Sequence, residues 1–414
     1  MGSRGDVLPF LALGHGLVAR GHAVRIATSS NHAALVAAAG LPHIRMRPEP
    51  TRTARAETEA GRTPDIHRLM AEVIAPGIRD GHADLVEACG GGACDLLLGS
   101  VVPIAPMAAE TLGIPWAPAV LQPIAFLSAH DPPVPPDMPW MSALNALGKL
   151  AGWPQRLVAH ALLARSARPF AEARRALGLR PARDPLLNWA APPPFGLALF
   201  SPELAAAQPD WLAGARPTGF CRWPDGTLPP EVEAFLAEGP PPLVVSLGSS
   251  MVRVGGLPQA IHAAALAVAR RAGLRCLVLA GTAENLAALP APLPPGCLGV
   301  LGAPHGAVFP RAALILHHGG AGTTGEAMRA GRPMLVVPFA GDQFDHAARM
   351  VRRGVAATCP ARRLDEAALE AMLRRVMAPG FAARAAALGA ALRAEDGVAG
   401  ACAVIEGWLR RRRA

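Results

Sequence analysis

The sequence predicts an α/β protein of two domains, each built on a parallel sheet. Three observations carry that reading. The chain has 414 residues, more than one core of roughly 100–200 residues organises. Apolar residues make up 51% and charged residues 17%, a composition that folds. Short Val-, Ile- and Leu-rich runs alternate with longer segments of helical period, and this happens twice. Gly and Pro, 43 each, follow no three-residue period and mark many turns.

In the first half, Leu8 to Arg20 reads as a helix, Ala23 to Thr28 as a strand, Ser30 to Gly40 as a helix, and Asp95 to Gly99 and Trp116 to Leu121 as strands. Ala129 to Phe200 holds Trp140, Trp153 and Trp189 among prolines without a clean strand period, and reads as an inserted wall of the first domain. The second half offers strands at Leu243 to Leu247, Leu274 to Leu279, Leu298 to Leu301, Ala313 to His317 and Met334 to Pro338, with helices such as Pro258 to Ala272 between them. Residues 217–242 carry Pro224-Asp225-Gly226, Pro229-Pro230 and Pro240-Pro241-Pro242 and read as the linker. The domains expected are therefore 1–216 and 243–392, with a helical, Arg-ended segment at 393–414.

A formal charge of +9 comes almost wholly from arginine, Lys149 being the sole lysine. Aromatics are 4% and no basic-aromatic interleaving occurs, so a nucleic-acid partner is not expected. The cluster Arg410 to Arg413 reads as a solvated helix end, with peripheral contact to phosphate or a membrane surface as the alternative. Seven scattered cysteines without a C-x-x-C pair read as reduced thiols of a cytoplasmic protein. No basic-then-apolar leader opens the chain, and Pro115, Pro118 and Pro123 break the longest uncharged run, Thr111 to Ala129.

The sharpest motif is Leu314-Ile315-Leu316-His317-His318-Gly319-Gly320-Ala321-Gly322-Thr323-Thr324-Gly325-Glu326, a strand running through a glycine turn into a helix. Glycines admit an anion close to the backbone, and the N–H groups opening the helix hold its charge. The loop matches neither the P-loop nor the strand-linked G-x-G-x-x-G of nicotinamide enzymes. Two plainer readings stand beside this one: Thr323 with Glu326 forms a capping box, and His317 is a core histidine. His318, at the turn, is the better ligand contact. Asp342-Gln343 follows a second strand and is placed to meet sugar hydroxyls, or Asp342 is a helix N-cap. Ser246-Leu247-Gly248-Ser249-Ser250 ends a third strand with small residues.

Together with Ala303-Pro304-His305, Gly331-Arg332-Pro333, the opening Gly2-Ser3-Arg4-Gly5-Asp6-Val7-Leu8-Pro9 and Gly21-His22, these residues resemble the inverting glycosyltransferases of the UDP-glycosyltransferase superfamily. Bacterial antibiotic and lipid or sterol glycosyltransferases are the nearest in pattern. The resemblance implies the GT-B fold: two Rossmann-like domains facing a cleft, donor nucleotide-sugar on the C-terminal one, acceptor on the N-terminal one, and a last helix crossing back. It also implies that His305 lies by the base and ribose and that Glu326 binds ribose hydroxyls. His318, Gly320, Gly322 and Thr323 would contact the diphosphate, Gly248 and Ser249 would lie near the phosphates, and Asp342 and Gln343 would contact the transferred sugar.

By the same resemblance the reaction is displacement at the anomeric carbon with inversion, with Asp6 as base for the acceptor hydroxyl; the residue-level alternative is Asp6 as a helix cap. No metal cluster and no cofactor is expected, the nucleotide-sugar being a substrate. The donor is a UDP- or dTDP-sugar, undecided because no base-stacking aromatic stands near Gly302-Ala303. The acceptor expected is an apolar hydroxyl compound: lipid, sterol or polyketide-type product. Relatives carry a strand before the opening loop, so neighbouring strand edges are expected to lie exposed here. The alternatives are a catalytically silent protein of the same fold, a nucleotide-sugar epimerase and, more generically, a nicotinamide oxidoreductase.

Overall fold

The computed structural model describes residues 4–47, 75–100, 104–136, 138, 140–145, 148–182, 190–212, 214–224, 226–248 and 254–414. Gly2, Ser3, Trp189, Asp225, Ser249 and Ser250 of the motifs above lie outside them. The first half comprises α1 (Arg4–Val18), β1 (Ile26–Thr28), α2 (Ala33–Ala38), β2 (His43–Arg45), α3 (Ile78–Cys89), β3 (Leu97–Gly99), α4 (Ile104–Leu112), β4 (Trp116–Val120), α5 (Met141–Leu144), α6 (Lys149–Ser166), α7 (Arg168–Ala176), β5 (Leu197–Ala198) and β6 (Arg216–Pro217). The second comprises α8 (Pro230–Ala237), β7 (Leu243–Ser246), α9 (Leu257–Arg271), β8 (Cys276–Leu279), α10 (Ala283–Ala287), β9 (Cys297–Val300), α11 (His305–Val308), β10 (Leu314–His317), α12 (Ala321–Ala330), β11 (Met334–Val336), α13 (Gln343–Arg352), β12 (Ala356–Thr358), α14 (Glu366–Val376), α15 (Phe381–Arg393) and α16 (Gly397–Arg413).

The second half is one continuous parallel sheet of order β12-β11-β10-β7-β8-β9. Its central strands β7 and β10 are buried on both faces, which is why they read as unbroken apolar runs. Successive residues alternate between two cores: Val244 and Ile315 pack with α8, α12 and α15, Val245 and Leu316 with α9 and α14.

The first half is parallel too, but its strands form two pieces, β1-β2 and β3-β4-β5-β6. Among the described residues β1 and β3 each have one strand partner, and their other flanks share a cavity of ≈ 380 Å³ that is also lined by Asp6, Phe10 and Leu13 of α1. Support for α1 comes from α16, which returns across it. A Cβ on Gly16 would stand 2.2 Å from Val398 Cγ1, and His22 Nε2 lies 3.3 Å from Glu406 Oε1.

Two expectations need correction. The helix of the first half begins at Arg4, so the expected opening loop is helical from Arg4 to Pro9 and Asp6 sits in the first turn, where the helix dipole favours a carboxylate. Residues 217–242 are not a bare linker: Val232 and Leu236 of α8 are buried in the second domain's core. Among the described residues no helix is long and apolar enough to cross a membrane, and the seven cysteines are free thiols.

Candidate donor and acceptor site

Three strands of the second domain end in loops that meet. After β10, Gly319 takes φ +90°, and a Cβ there would stand 3.0 Å from the Gln343 carbonyl. His317, at the strand end, is fully buried and its Nδ1 accepts from the Gly319 N–H at 3.1 Å. Burial first, then the neighbouring histidines, holds its pKa well below 6.5. It is the core histidine of the plainer reading.

The His318 ring is slotted between two glycines. A Cβ on Gly248, which has φ +68°, would lie 2.2 Å from His318 Cε1, and one on Gly320 would lie 2.4 Å from Nε2. Burial, then His305 and His346, pushes its pKa down to about 3, so the ring is neutral, and its buried Nδ1 has no partner among the described residues.

The helix that follows settles the capping-box question. The N-cap of α12 is Gly320, without a side-chain cap; Thr323 therefore stands in the third helical position, and Glu326 is taken by Arg222, whose Nε and NH2 group donate to it at 2.6 and 3.1 Å. Among the described residues no side chain caps the first turn, so its N–H groups are open to an external acceptor. Gly322 is exposed, with nothing within 4 Å of a Cβ placed on it, and Thr323 is half-buried beside it. Glu326 is thus less available to a ribose than the motif implied, because the linker arginine already neutralises it.

At the end of β7, Ser246 Oγ lies 2.8 Å from His305 Nε2, and the imidazole stacks on Phe309 with centroids 4.4 Å apart. Burial pushes His305 down to about 4, so it too is neutral. Beyond β11, Gln343 Oε1 accepts from the N–H groups of Phe339 at 2.9 Å and Ala340 at 3.3 Å. That clip fixes the loop and leaves the Gln343 amide NH2 without a partner among the described residues. Asp342 occupies the N-cap position of α13 but accepts no cap bond. Its carboxyl is raised above the usual range by burial, a rise that His346 opposes and the charge of Asp6 reinforces. The charge of Asp6, on the first domain, is thus felt by Asp342, on the second.

Residues that the motifs did not single out hold this geometry. His346 Nδ1 donates to the Gly319 carbonyl at 2.8 Å. Arg349 is buried; desolvation opposes its charge, but Asp345 and Asp131 outweigh that and raise its pKa. Its Nε donates to Asp345 at 2.7 Å and NH1 to Asp131 of the first domain. The Val134 N–H reaches Asp345 Oδ1 at 3.1 Å, closing a clasp between the domains. The i, i+4 spacings Asp342/His346 and Asp345/Arg349 were the available sequence signal; the partner Asp131 had none. Among the described residues no group of three or more His, Cys, Asp or Glu is arranged to hold a metal ion.

Two parallel-sheet domains joined by a clasp, the second gathering the loops of three strand ends, have the layout of the GT-B architecture. The solved glycosyltransferase of kitacinnamycin superposes with TM-score 0.71 at 24% identity, covering 98% of this chain and 96% of that one. Glycosyltransferase VinC, solved in complex with dTDP, superposes with TM-score 0.67 at 21% identity over 99% and 96%. Residues 1–123 match the glycosyltransferase family 28 N-terminal domain, and residues 276–399 match the erythromycin biosynthesis protein CIII-like C-terminal domain. O-mycaminosyltylonolide 6-deoxyallosyltransferase of Streptomyces fradiae is 34% identical over all of this chain and 97% of its own length. Vancomycin aglycone glucosyltransferase of Amycolatopsis orientalis is 31% identical over 96% of this chain and 93% of its own. The chain belongs to the UDP-glycosyltransferase superfamily.

Proposed function

We propose that this glycosyltransferase moves a hexose, with inversion, from a UDP- or dTDP-sugar to a hydroxyl of an apolar acceptor of the polyketide or lipid kind. The observation that carries the donor side is the uncapped start of α12 beside a neutral His318 wedged between Gly248 and Gly320. Main-chain N–H groups and the helix dipole there stabilise the departing diphosphate without a metal ion. Gly320, Gly322, Thr323 and the segment carrying Gly248 and Ser249 are assigned to the diphosphate, His305 to the base and ribose, and Asp342 with Gln343 to the sugar. Glu326 joins the ribose only by sharing its carboxylate with Arg222.

Asp6 takes the proton of the acceptor hydroxyl. The electrostatic influence of Asp6 on Asp342, the residue assigned to the sugar, supports that role. Residues 1–216 form the acceptor side and 243–392 the donor side. The names of relatives acting on macrolide and glycopeptide aglycones support an apolar, polycyclic acceptor, and the dTDP complex of VinC supports dTDP as the donor nucleotide. The test is transfer in EDTA from UDP-glucose and dTDP-glucose to a panel of macrolide aglycones and sterols, followed by mass spectrometry. A glycosylated product with inverted anomeric configuration is expected. Nucleotide binding without any product across the panel would favour a silent protein of the same fold.

A further inference from the structure

Helix α6 is packed inside out. A surface helix ordinarily buries its large apolar residues and shows solvent its polar ones. In α6, Leu150, Trp153 and Leu157 recur at three- and four-residue spacing on the outer face, with Val158 and Leu162 one strip over. Leu150 is 84% exposed, Leu157 68% and Val158 60%; Trp140, just before the helix, is 62% exposed. The face turned to the protein is the small one. Gly152 sits against the Ala129 carbonyl, where a Cβ would come within 1.9 Å, and Ala159 and Leu163 are half-buried beside it. Even the polar Gln155 turns inward, with both side-chain polar atoms buried and unbonded among the described residues.

Solvent gains nothing from such an arrangement, since every exposed position from Trp153 to Ala164 is apolar. Charge identifies what covers it. From residue 138 to 171 there is no Asp or Glu, while Lys149, Arg156, Arg165 and Arg168 all fall inside. Arg156 is compensated by Asp210 at 2.5 Å and lies 5.6 Å over the Trp153 ring; Arg168 is exposed. A second copy of this chain would oppose cation to cation across the contact. An anionic lipid surface accepts the apolar strip into its acyl boundary, seats tryptophan at the headgroup level and neutralises the exposed Arg168.

We propose that the outer face of α6, with Trp140, docks the protein peripherally on anionic membranes. The helix lies in the interface plane; it does not span. An 18-residue helix is about 27 Å long, enough to hold the first domain's wall against the surface. The inference does not rest on the proposed reaction, and the Arg410–Arg413 cluster is a separate surface that the experiment keeps apart.

The experiment is flotation of the full chain with vesicles of phosphatidylcholine alone and of phosphatidylcholine with phosphatidylglycerol. The wild type is expected to float with the anionic vesicles and poorly with the neutral ones. The triple variant Leu150→Gln, Leu157→Gln, Leu162→Gln, all solvent-facing and checked for an unchanged melting temperature and near-UV spectrum, should partition about tenfold more weakly. A variant with Arg411→Ser and Arg412→Ser should float like the wild type. Trp153→Phe, should the triple variant melt early, is expected to lose part of the binding and to abolish any blue shift of emission contributed by that ring. Failure of the wild type to bind anionic vesicles overturns the proposal. So does loss of binding in the arginine variant alone, or a wild-type dimer that the triple variant converts to a monomer.

Discussion

The two sheets of this molecule are built from the same βαβ units but differ in continuity. In the second domain six strands run unbroken, with β7 and β10 at the centre carrying the loops of Gly248 and His318. In the first, β1-β2 and β3-β4-β5-β6 are parted by a cavity, and Asp6 stands on a helix steadied by α16 more than by a sheet beneath it. The contrast teaches where precision resides. The proposed diphosphate contacts are main-chain groups fixed by a continuous ladder and by buried neutral histidines. The proposed base stands instead on a helix held mainly by packing against α16.

The largest expected effect breaks the comparison at Asp6. Asp6→Asn should lower transfer by about 10³-fold while nucleotide affinity stays unchanged; ordinary turnover, measured with saturating donor, would place the base elsewhere. The clasp between the halves comes next. Arg349→Met strands the fully buried Asp345 carboxylate and should cost about 3 kcal/mol in denaturant unfolding. A loss below about 0.5 kcal/mol, the range of ordinary surface substitutions, would mean that the clasp is not holding the domains.

Acid sharpens the contrast from the donor side. His305 and His318 sit well below the ordinary 6.5, at about 4 and about 3. The unfolded chain therefore binds protons that the folded one refuses as pH falls below about 6.5, and stability drops through the window down to about 4 by up to about 1.4 kcal/mol per unit for each histidine. His318→Gln should flatten that slope, read from denaturation midpoints at pH 7 and pH 5. The smallest effect is local. Amides of β1 and β3, each laddered on one side only among the described residues, should exchange faster than those of β7 and β10, and equal protection would erase the difference between the sheets.

What could be read from the sequence follows the same divide. β7, β8, β10 and β11 were legible because burial on both faces makes each a continuous apolar run. The short strands β2, β5, β6 and β12 were not, since two or three residues such as His43–Arg45 or Arg216–Pro217 carry no period. The start of α1 was hidden by Gly5 and Pro9, poor helix formers that the return of α16 across the helix overrides. The capping-box spelling at Thr323 was coincidental, because a helix starting after Gly320 moves Thr323 inside it. Arg222 and Phe220 were masked by linker composition, yet one occupies Glu326 and the other packs its ring against Gly325, 2.9 Å from a Cβ there. Contacts such as Arg349 with Asp131 join positions hundreds of residues apart, and local pattern holds no trace of them.

The central claim is that the open start of α12 receives the nucleotide diphosphate. Gly322 tests it most directly, because a side chain there meets nothing, and an acidic one suits a helix N-terminus while occupying the anion's place. Calorimetric titration of UDP and dTDP in EDTA into the wild type and Gly322→Glu is the measurement. Binding of at least one nucleotide by the wild type, lost in the variant with its melting temperature unchanged or raised, is the predicted result; equal binding by both would contradict it.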